Sequence, residues 1–496
     1  MIYFIVKGHT LEHDVQTIIQ VFYPNLHYYV VEEPKQQGIT IESRLQQGQS
    51  IAIFYENGVK KQQAVMEYQE LTIKEKKRVI KGAIYQLLRQ ITGIRPQWGF
   101  VTGVRPAKTI NELLDKGYTE QQCLQYMMDG YDVTEKKAKI SLEVAKEERE
   151  ILSQNKQNDI SLYVGIPFCP TRCLYCSFTS YPLTQYQNKV WDYLEALRKE
   201  LCFLGEYAQP FDLKTVYIGG GTPTSLTAEQ MKFLLDVLSQ HFDLKKDGLE
   251  FCVEAGRPDT ITKEKLAVMK EYAVNRISIN PQTMNQKTLD LIGRKHTVEE
   301  IKEIFYVARE LGYDTINMDL ILGLPEETAQ DVEHTMRQIE ELQPDNLTIH
   351  TLAVKRASRL KEKFDLYTLT KAEELEKMLS ISEEYARKMN MKPYYMYRQK
   401  NMVGNFENVG YCTLGKECIY NVQIMEEKQT ILAAGAGAST KTIDFRENRI
   451  ERIFNVKSVE DYIARIDEMI HKKLTFLEES KQRTFNLGSQ DRMKNV

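Results

Sequence analysis

Residues 161–178, SLYVGIPFCPTRCLYCSF, begin as a short β-rich run and end in three cysteines spaced C-x3-C-x2-C: Cys169, Cys173 and Cys176. The chain then repeats the same kind of opening. Short β-rich runs recur at 214–218, 249–254, 275–280, 314–322 and 345–351, with helical stretches between them at 187–205, 227–240, 262–272, 298–311 and 328–341. Strands and helices alternating at this spacing predict parallel strands joined by right-handed crossovers. Six such units predict an α/β fold with a partial (β/α)6 TIM-like barrel over 160–360. In such folds, reactive groups collect at the carboxyl ends of the strands. The cysteines stand just past the end of the first run. Thiolates are soft, anionic ligands suited to iron–sulfur clusters. Three of them hold a [4Fe–4S] cubane with one iron left open. A structural zinc site would more usually show a second paired motif, and the chain has none after these cysteines.

Outside the barrel the pattern is less regular. MIYFIVKGHT has an apolar start without a basic leader, and reads as a first strand rather than a signal peptide. A helix is expected near 10–22 and a strand at 51–55. From 72 to 155 the pattern is helical, interrupted by GFVTGVRPAKT (99–109), so 1–155 reads as a separate α+β and helical module. QNKQND (154–159) reads as its polar linker. Residues 361–496 read as a C-terminal α+β extension covering the substrate. Apolar residues make up 42% of the 496, charged residues 27%, and the net charge is −3. That balance points away from nucleic acid as a partner, and no apolar run is long enough to span a bilayer. The expected compartment is therefore the cytoplasm, and five scattered cysteines besides the three, which do not resemble a disulfide framework, fit that expectation.

The residues after the later strands carry further chemistry. Gly219, Gly220, Gly221 and Thr222 follow the second run, where glycines let a ligand approach the backbone. Glu254 ends the third run, Gln282 the fourth, and Asp319 lies in the fifth. C-x3-C-x2-C after a first barrel strand resembles the radical S-adenosylmethionine (SAM) enzymes. LYVGIPFC, YIGGGTPTSL, NRISINPQTMNQKTLDLIGR and MDLILGLPEET resemble, more narrowly, the oxygen-independent coproporphyrinogen III oxidases. The N-terminal module, the VRPAK loop and YYMYRQKN (394–401) resemble their HemZ-type branch, the coproporphyrinogen dehydrogenases.

That resemblance implies a [4Fe–4S] cluster on Cys169, Cys173 and Cys176, and SAM, in one copy or two, on Tyr163, Gly220, Gly221, Thr222, Glu254, Gln282, Arg294 and Asp319. It also implies a low-potential electron donor such as flavodoxin or ferredoxin, and a tetrapyrrole substrate whose propionates become vinyls. The alternatives are a haem-binding carrier, with His350 or Met396 as iron ligand, or another tetrapyrrole-directed radical enzyme. Candidate cations for the substrate carboxylates are Arg294, Lys355, Arg356, Arg359 and Arg398. The sequence departs from the oxidases at Phe178, where they carry a fourth cysteine, and at Arg257, onto which no role is carried.

Overall fold

The computed structural model describes all residues except Asn25, 70–71, Thr179, Arg356, 363–366, 368–369, 400–405, 445–448 and 494–496; side chains are described up to residue 480. The chain forms two compact units. The first is Met1–Ala145 with Met396–Glu407, and the second is Lys146–Tyr395 with Asn408–Val496.

The first unit is built on strands β1 (Ile2–Lys7), β2 (Tyr28–Val30), β3 (Ile39–Gln46), β4 (Gln49–Glu56) and β5 (Val59–Glu67), in the order β2-β1-β3-β4-β5. β1 pairs in parallel with both neighbours, while β3, β4 and β5 form an antiparallel meander. The sequence reading found β1 and part of β4. It missed β3 and β5, whose mixed polar residues (ITIESRLQ, VKKQQAVME) give little apolar alternation. Helix Ile73–Thr92 packs on β4 and β5. Its buried residues Val79, Ile80, Ala83, Ile84, Leu87 and Leu88 recur at helical spacing along one stripe. Thr72 caps its start by accepting from the Glu75 N–H at 3.1 Å, and Gly93, at φ +70°, ends it. Helices Ala107–Asp115, Glu120–Tyr131 and Glu135–Ser153 come next, and the last of these continues into the second unit.

The second unit carries strands β6 (Asp159–Ile166), β7 (Phe168–Cys169), β8 (Tyr181–Pro182), β9 (Asp212–Gly220), β10 (Glu250–Gly256), β11 (Arg276–Ile279), β12 (Ile316–Leu322), β13 (Asn346–Thr351), β14 (Lys392–Tyr397), β15 (Asn408–Cys412), β16 (Thr430–Ala434), β17 (Ser439–Asp444) and β18 (Arg449–Phe454). All but β7 and β8 form one sheet, in the order β14-β15-β13-β12-β11-β10-β9-β6-β16-β17-β18. The six strands expected from the alternation, β6 and β9 to β13, pair in parallel through its centre. The C-terminal segment extends both edges. β16 joins in parallel beside β6, β15 antiparallel beside β13, and β17 and β18 complete one margin.

The two faces of this sheet differ, because side chains alternate along each strand. One face bears Leu162, Val164, Val216, Ile218, Val253, Ile277, Met318 and Ile349, none more than 1% exposed. This is the apolar face expected beneath crossover helices. The other is polar: Ser161, Tyr163, Thr215, Tyr217, Glu250, Glu254, Arg276, Asn317, Asp319, Thr348 and His350. Buried polar groups need partners, and here they bond across strands. Thr215 Oγ1 donates to Ser161 Oγ at 2.8 Å, Arg276 Nη1 to Asn346 Oδ1 at 2.7 Å, and Thr348 Oγ1 to Asn317 Oδ1 at 3.1 Å.

Helix Ile419–Glu426 docks on this polar face, at the ends where the strands begin. The N–H groups of Ile419 and Tyr420 both donate to the carboxylate of Glu250, the first residue of β10, at 2.9 Å. Tyr420 stacks on Tyr217 with ring centroids 4.4 Å apart. The AAGAGAS stretch (433–439) is the turn from β16 to β17, with Gly435 and Gly437 at positive φ.

Candidate active site

The cysteine loop leaves β6 at Pro167 and is pinched at its base. β7 and β8 pair in parallel there, and the Tyr181 N–H donates to Pro167 O at 2.8 Å. Its tip is tied down twice: the Leu174 N–H donates to Ile292 O, and the Leu360 N–H to Leu174 O, each at 2.9 Å. Cys169, Cys173 and Cys176 are free thiols. Cys169 Sγ lies 3.4 Å from Thr222 Oγ1. Burial, with the neighbouring thiols adding to it, pushes Cys176 up to about 11; burial also raises Cys169. Among the described residues, no three His, Cys, Asp or Glu side chains close around a point that a single metal ion would fill; a four-iron cubane spaces its three thiolates more widely than one ion does.

The glycine turn after β9 is woven onto the segment that carries Cys169. The Gly221 N–H donates to Ile166 O and the Thr222 N–H to Phe168 O, both at 2.8 Å. Gly220 has φ +111°, a conformation that excludes most side chains, and a Cβ at Gly221 would stand 2.6 Å from Phe168 O. A Cβ at Gly219 would stand 3.0 Å from Glu254 Oε2.

Glu254 faces that turn. The Tyr217 hydroxyl donates to its Oε1 at 2.5 Å. Burial pushes the carboxyl up to about 7, helped by the charge of Asp319 and opposed by the donors Tyr217 and Gly220. Asp319 moves the opposite way. Burial raises it, but His350, Asn317 and Thr348 outweigh that and hold it below the usual range. Asn317 Nδ2 donates to Asp319 Oδ1 at 2.7 Å, and His350 Nε2 lies 3.7 Å from Oδ2. Gln282 adopts φ +71°, rare for a residue with a side chain. Two backbone bonds hold it there, from the Gln282 N–H to Asp319 O at 2.9 Å and from the Ile321 N–H to Gln282 O at 3.0 Å.

Arg294 is 6% exposed; it donates to Asn280 O at 2.6 Å and to the Tyr175 hydroxyl at 3.3 Å, within the cysteine loop. Among the described residues, its Nε and the Asn280 Oδ1 are buried without partners. Tyr163 lies on the polar face, stacked with Tyr217 and Tyr420 at 6.3 Å.

Each candidate SAM position therefore lies in this unit, on the polar face or at the strand exits. The substrate cations are more scattered. Lys355 is half-buried, and Arg359 reaches back to Arg172 O at 3.4 Å. Arg398 belongs to the first unit, where it stacks over Trp98 at 5.3 Å and donates to Val101 O. Arg356 lies outside the described residues. Phe178 is 69% exposed. The sequence reading missed Tyr217, which a strict period of two along β9 (Thr215, Tyr217, Gly219) would have put on the polar face. It also left Arg257 without a role, and that residue reaches the cysteine loop.

A parallel α/β sheet with cysteines at the exit of its first strand defines the radical SAM class of enzymes. The family model of the Radical SAM superfamily matches residues 163–339. The chain is 37% identical over 486 residues to the oxygen-independent coproporphyrinogen-III oxidase-like protein HemZ of Bacillus subtilis (strain 168), covering 96% of this chain and 97% of that protein. It is 40% identical over 195 residues to the heme chaperone HemW of the same organism, covering 39% of this chain and 50% of that protein. The solved structure of coproporphyrinogen III oxidase (HemN) from Escherichia coli shares the fold, with a TM-score of 0.50 at 22% identity over 66% of this chain and 73% of that one. The chain belongs to the radical SAM superfamily, in its oxygen-independent coproporphyrinogen-III oxidase-like family. Membership implies a [4Fe–4S] cluster and SAM. Among the described residues, no helix is long and apolar enough to cross a membrane.

Proposed function

We propose that the protein is a radical SAM oxidoreductase that decarboxylates two propionates of coproporphyrinogen III to vinyls, giving protoporphyrinogen IX. The observation that carries this reading is the end-to-end likeness to a coproporphyrinogen-III oxidase-like protein, on a chain whose polar groups gather where its parallel strands end.

In this reading Cys169, Cys173 and Cys176 hold the cluster. The residues fit such a group: three free thiols share one loop, pinned at its base and at its tip. Gly219, Gly220, Gly221 and Thr222 would hold SAM, and the missing Cβ atoms of the three glycines let this turn lie close against Ile166, Phe168 and Glu254. Glu254 and Asp319 would accept from its ammonium and ribose hydroxyls. The unpartnered Nε of Arg294 and Oδ1 of Asn280 await a polar ligand. When bound, the cluster and SAM supply one-electron cleavage and hydrogen-atom abstraction; the protein supplies orientation and a dry site. Gln282 holds its left-handed backbone between two bonds to β12, and so fixes the mouth of the fourth strand. Lys355 and Arg359, beyond β13, are the candidate partners of the substrate carboxylates. A low-potential carrier such as flavodoxin or ferredoxin delivers the electron in the cytoplasm.

The test is anaerobic incubation of the iron-reconstituted protein with SAM, dithionite and coproporphyrinogen III. Vinyl products and carbon dioxide, formed with methionine and 5′-deoxyadenosine, support the reading. SAM cleavage without vinyl product points to another tetrapyrrole. Stoichiometric haem binding without SAM cleavage points to a carrier.

A further inference from the structure

Arg257 sits just beyond β10 and is 3% exposed. One edge of its guanidinium is fully used by a carboxylate: Nε donates to Asp259 Oδ1 at 2.9 Å and Nη2 to Oδ2 at 2.7 Å. His296, itself 0% exposed, lies 3.6 Å from the same carboxylate. The other edge turns to the segment between the first two cysteines. Nη1 donates to Thr171 Oγ1 at 2.8 Å, to Thr171 O at 3.2 Å, and to Cys173 Sγ at 3.9 Å.

Burying a cation is costly unless it is paired. The pairing with Asp259 meets that need, and it also fixes the plane of the guanidinium. The remaining edge is then held on Thr171, which keeps the guanidinium charge within 3.9 Å of the Cys173 sulfur.

We propose that Arg257 is a positioning residue that holds the Thr171–Cys173 segment and makes the cluster on these cysteines easier to reduce. This rests on the proposed role of Cys169, Cys173 and Cys176. One-electron reduction adds a negative charge to a group already made anionic by its thiolates. A cationic N–H donor at one sulfur stabilises the reduced form more than the oxidised form, and so raises the potential. Asp259 acts in the opposite sense: it orients the arginine while its own negative charge offsets part of the effect.

The experiment is a potentiometric titration of the full-length, anaerobically reconstituted protein without SAM. The electron paramagnetic resonance signal of the reduced cluster is the readout, and iron and sulfide are counted per chain. Arg257→Gln should lower the one-electron equilibrium constant about tenfold, equivalent to about 59 mV. Arg257→Lys should retain most of the wild-type value. Asp259→Asn, which keeps the shape and removes the opposing charge, should move the potential upward. Shifts of opposite sign at two positions two residues apart are not what general damage to the loop produces. Equal potentials in wild type, Arg257→Gln and Asp259→Asn at full iron content overturn the inference and leave the cysteine assignment standing. If Arg257→Gln loses its iron, the Arg257→Lys and Asp259→Asn potentials decide: an unmoved Asp259→Asn overturns it. Wild-type protein that takes up no four-iron cluster overturns the cysteine assignment, and the inference with it.

Discussion

Replacing Tyr217 with Phe removes one hydroxyl and leaves the ring that stacks on Tyr420. The lost group is the donor to Glu254 Oε1 at 2.5 Å. Burial already holds that carboxyl at about 7, and the Tyr217 hydrogen bond is the largest influence keeping it down. A hydrogen bond to a charged group contributes about 1.5–3 kcal/mol. At about 1.36 kcal/mol per pKa unit, losing it raises Glu254 by roughly 1–2 units. If Glu254 accepts from the SAM ammonium as proposed, binding needs the carboxylate ionised. Titration calorimetry of SAM into reconstituted, unreduced protein should show wild-type affinity weakening below about pH 7. In the variant the same weakening should begin roughly 1–2 pH units higher. The ligand's own amino group titrates alike in both experiments, so the difference between profiles belongs to Glu254. Superimposable profiles would refute the reasoning.

The same carboxyl makes a prediction about stability. Its folded-state pKa is raised from 4.5 to about 7, so its stabilising contribution is full below about pH 4.5 and is lost as pH rises through about 7. Glu254→Gln, neutral throughout, should therefore match wild type in thermal melts near the acid end and exceed it by on the order of 1–3 kcal/mol above pH 7. Gly221→Ala places a methyl 2.6 Å from Phe168 O; it should cost about 1–3 kcal/mol in denaturant melts and weaken SAM binding measurably. Lys473, 0% exposed, pairs with Glu200, which also accepts from the Tyr462 hydroxyl at 2.6 Å and the Gly435 N–H at 2.9 Å. Lys473→Met should cost about 3–5 kcal/mol in a urea melt, and the double variant with Glu200→Gln should recover part of it. Unchanged stability in the single variant would show that the other donors suffice for Glu200.

The N-terminal unit shows where sequence reading weakens. β1 was legible because IYFIVK is apolar and β-rich. β5 was not, since VKKQQAVME is largely exposed along its length and its pairing with β4 is made by backbone groups common to all residues. In the second unit the parallel strands stood out because their outer face is buried under helices, which forces β-rich apolar runs of regular spacing. The site was legible in part for a related reason: thiols, glycines and carboxylates at strand exits are costly choices for packing alone, so they stand out. Arg257 was opaque. Its neighbours in sequence account for its partner Asp259, but its other partners, Thr171 and Cys173, are more than eighty residues away.

The sequence by itself determined the order of the parallel strands and helices of the second unit, the three-cysteine loop and the candidate strand-exit residues, because periodicity and local motif are properties of neighbouring residues. Only the tertiary structure decided that the C-terminal strands extend both edges of the central sheet, and that Tyr420 stacks on Tyr217 beside Glu254. It alone brought the second edge of Arg257 onto Thr171 and within reach of Cys173. Each of these depends on groups far apart in the chain, and folding selects such contacts through the summed packing and hydrogen bonding of the whole unit, which no local pattern of residues encodes.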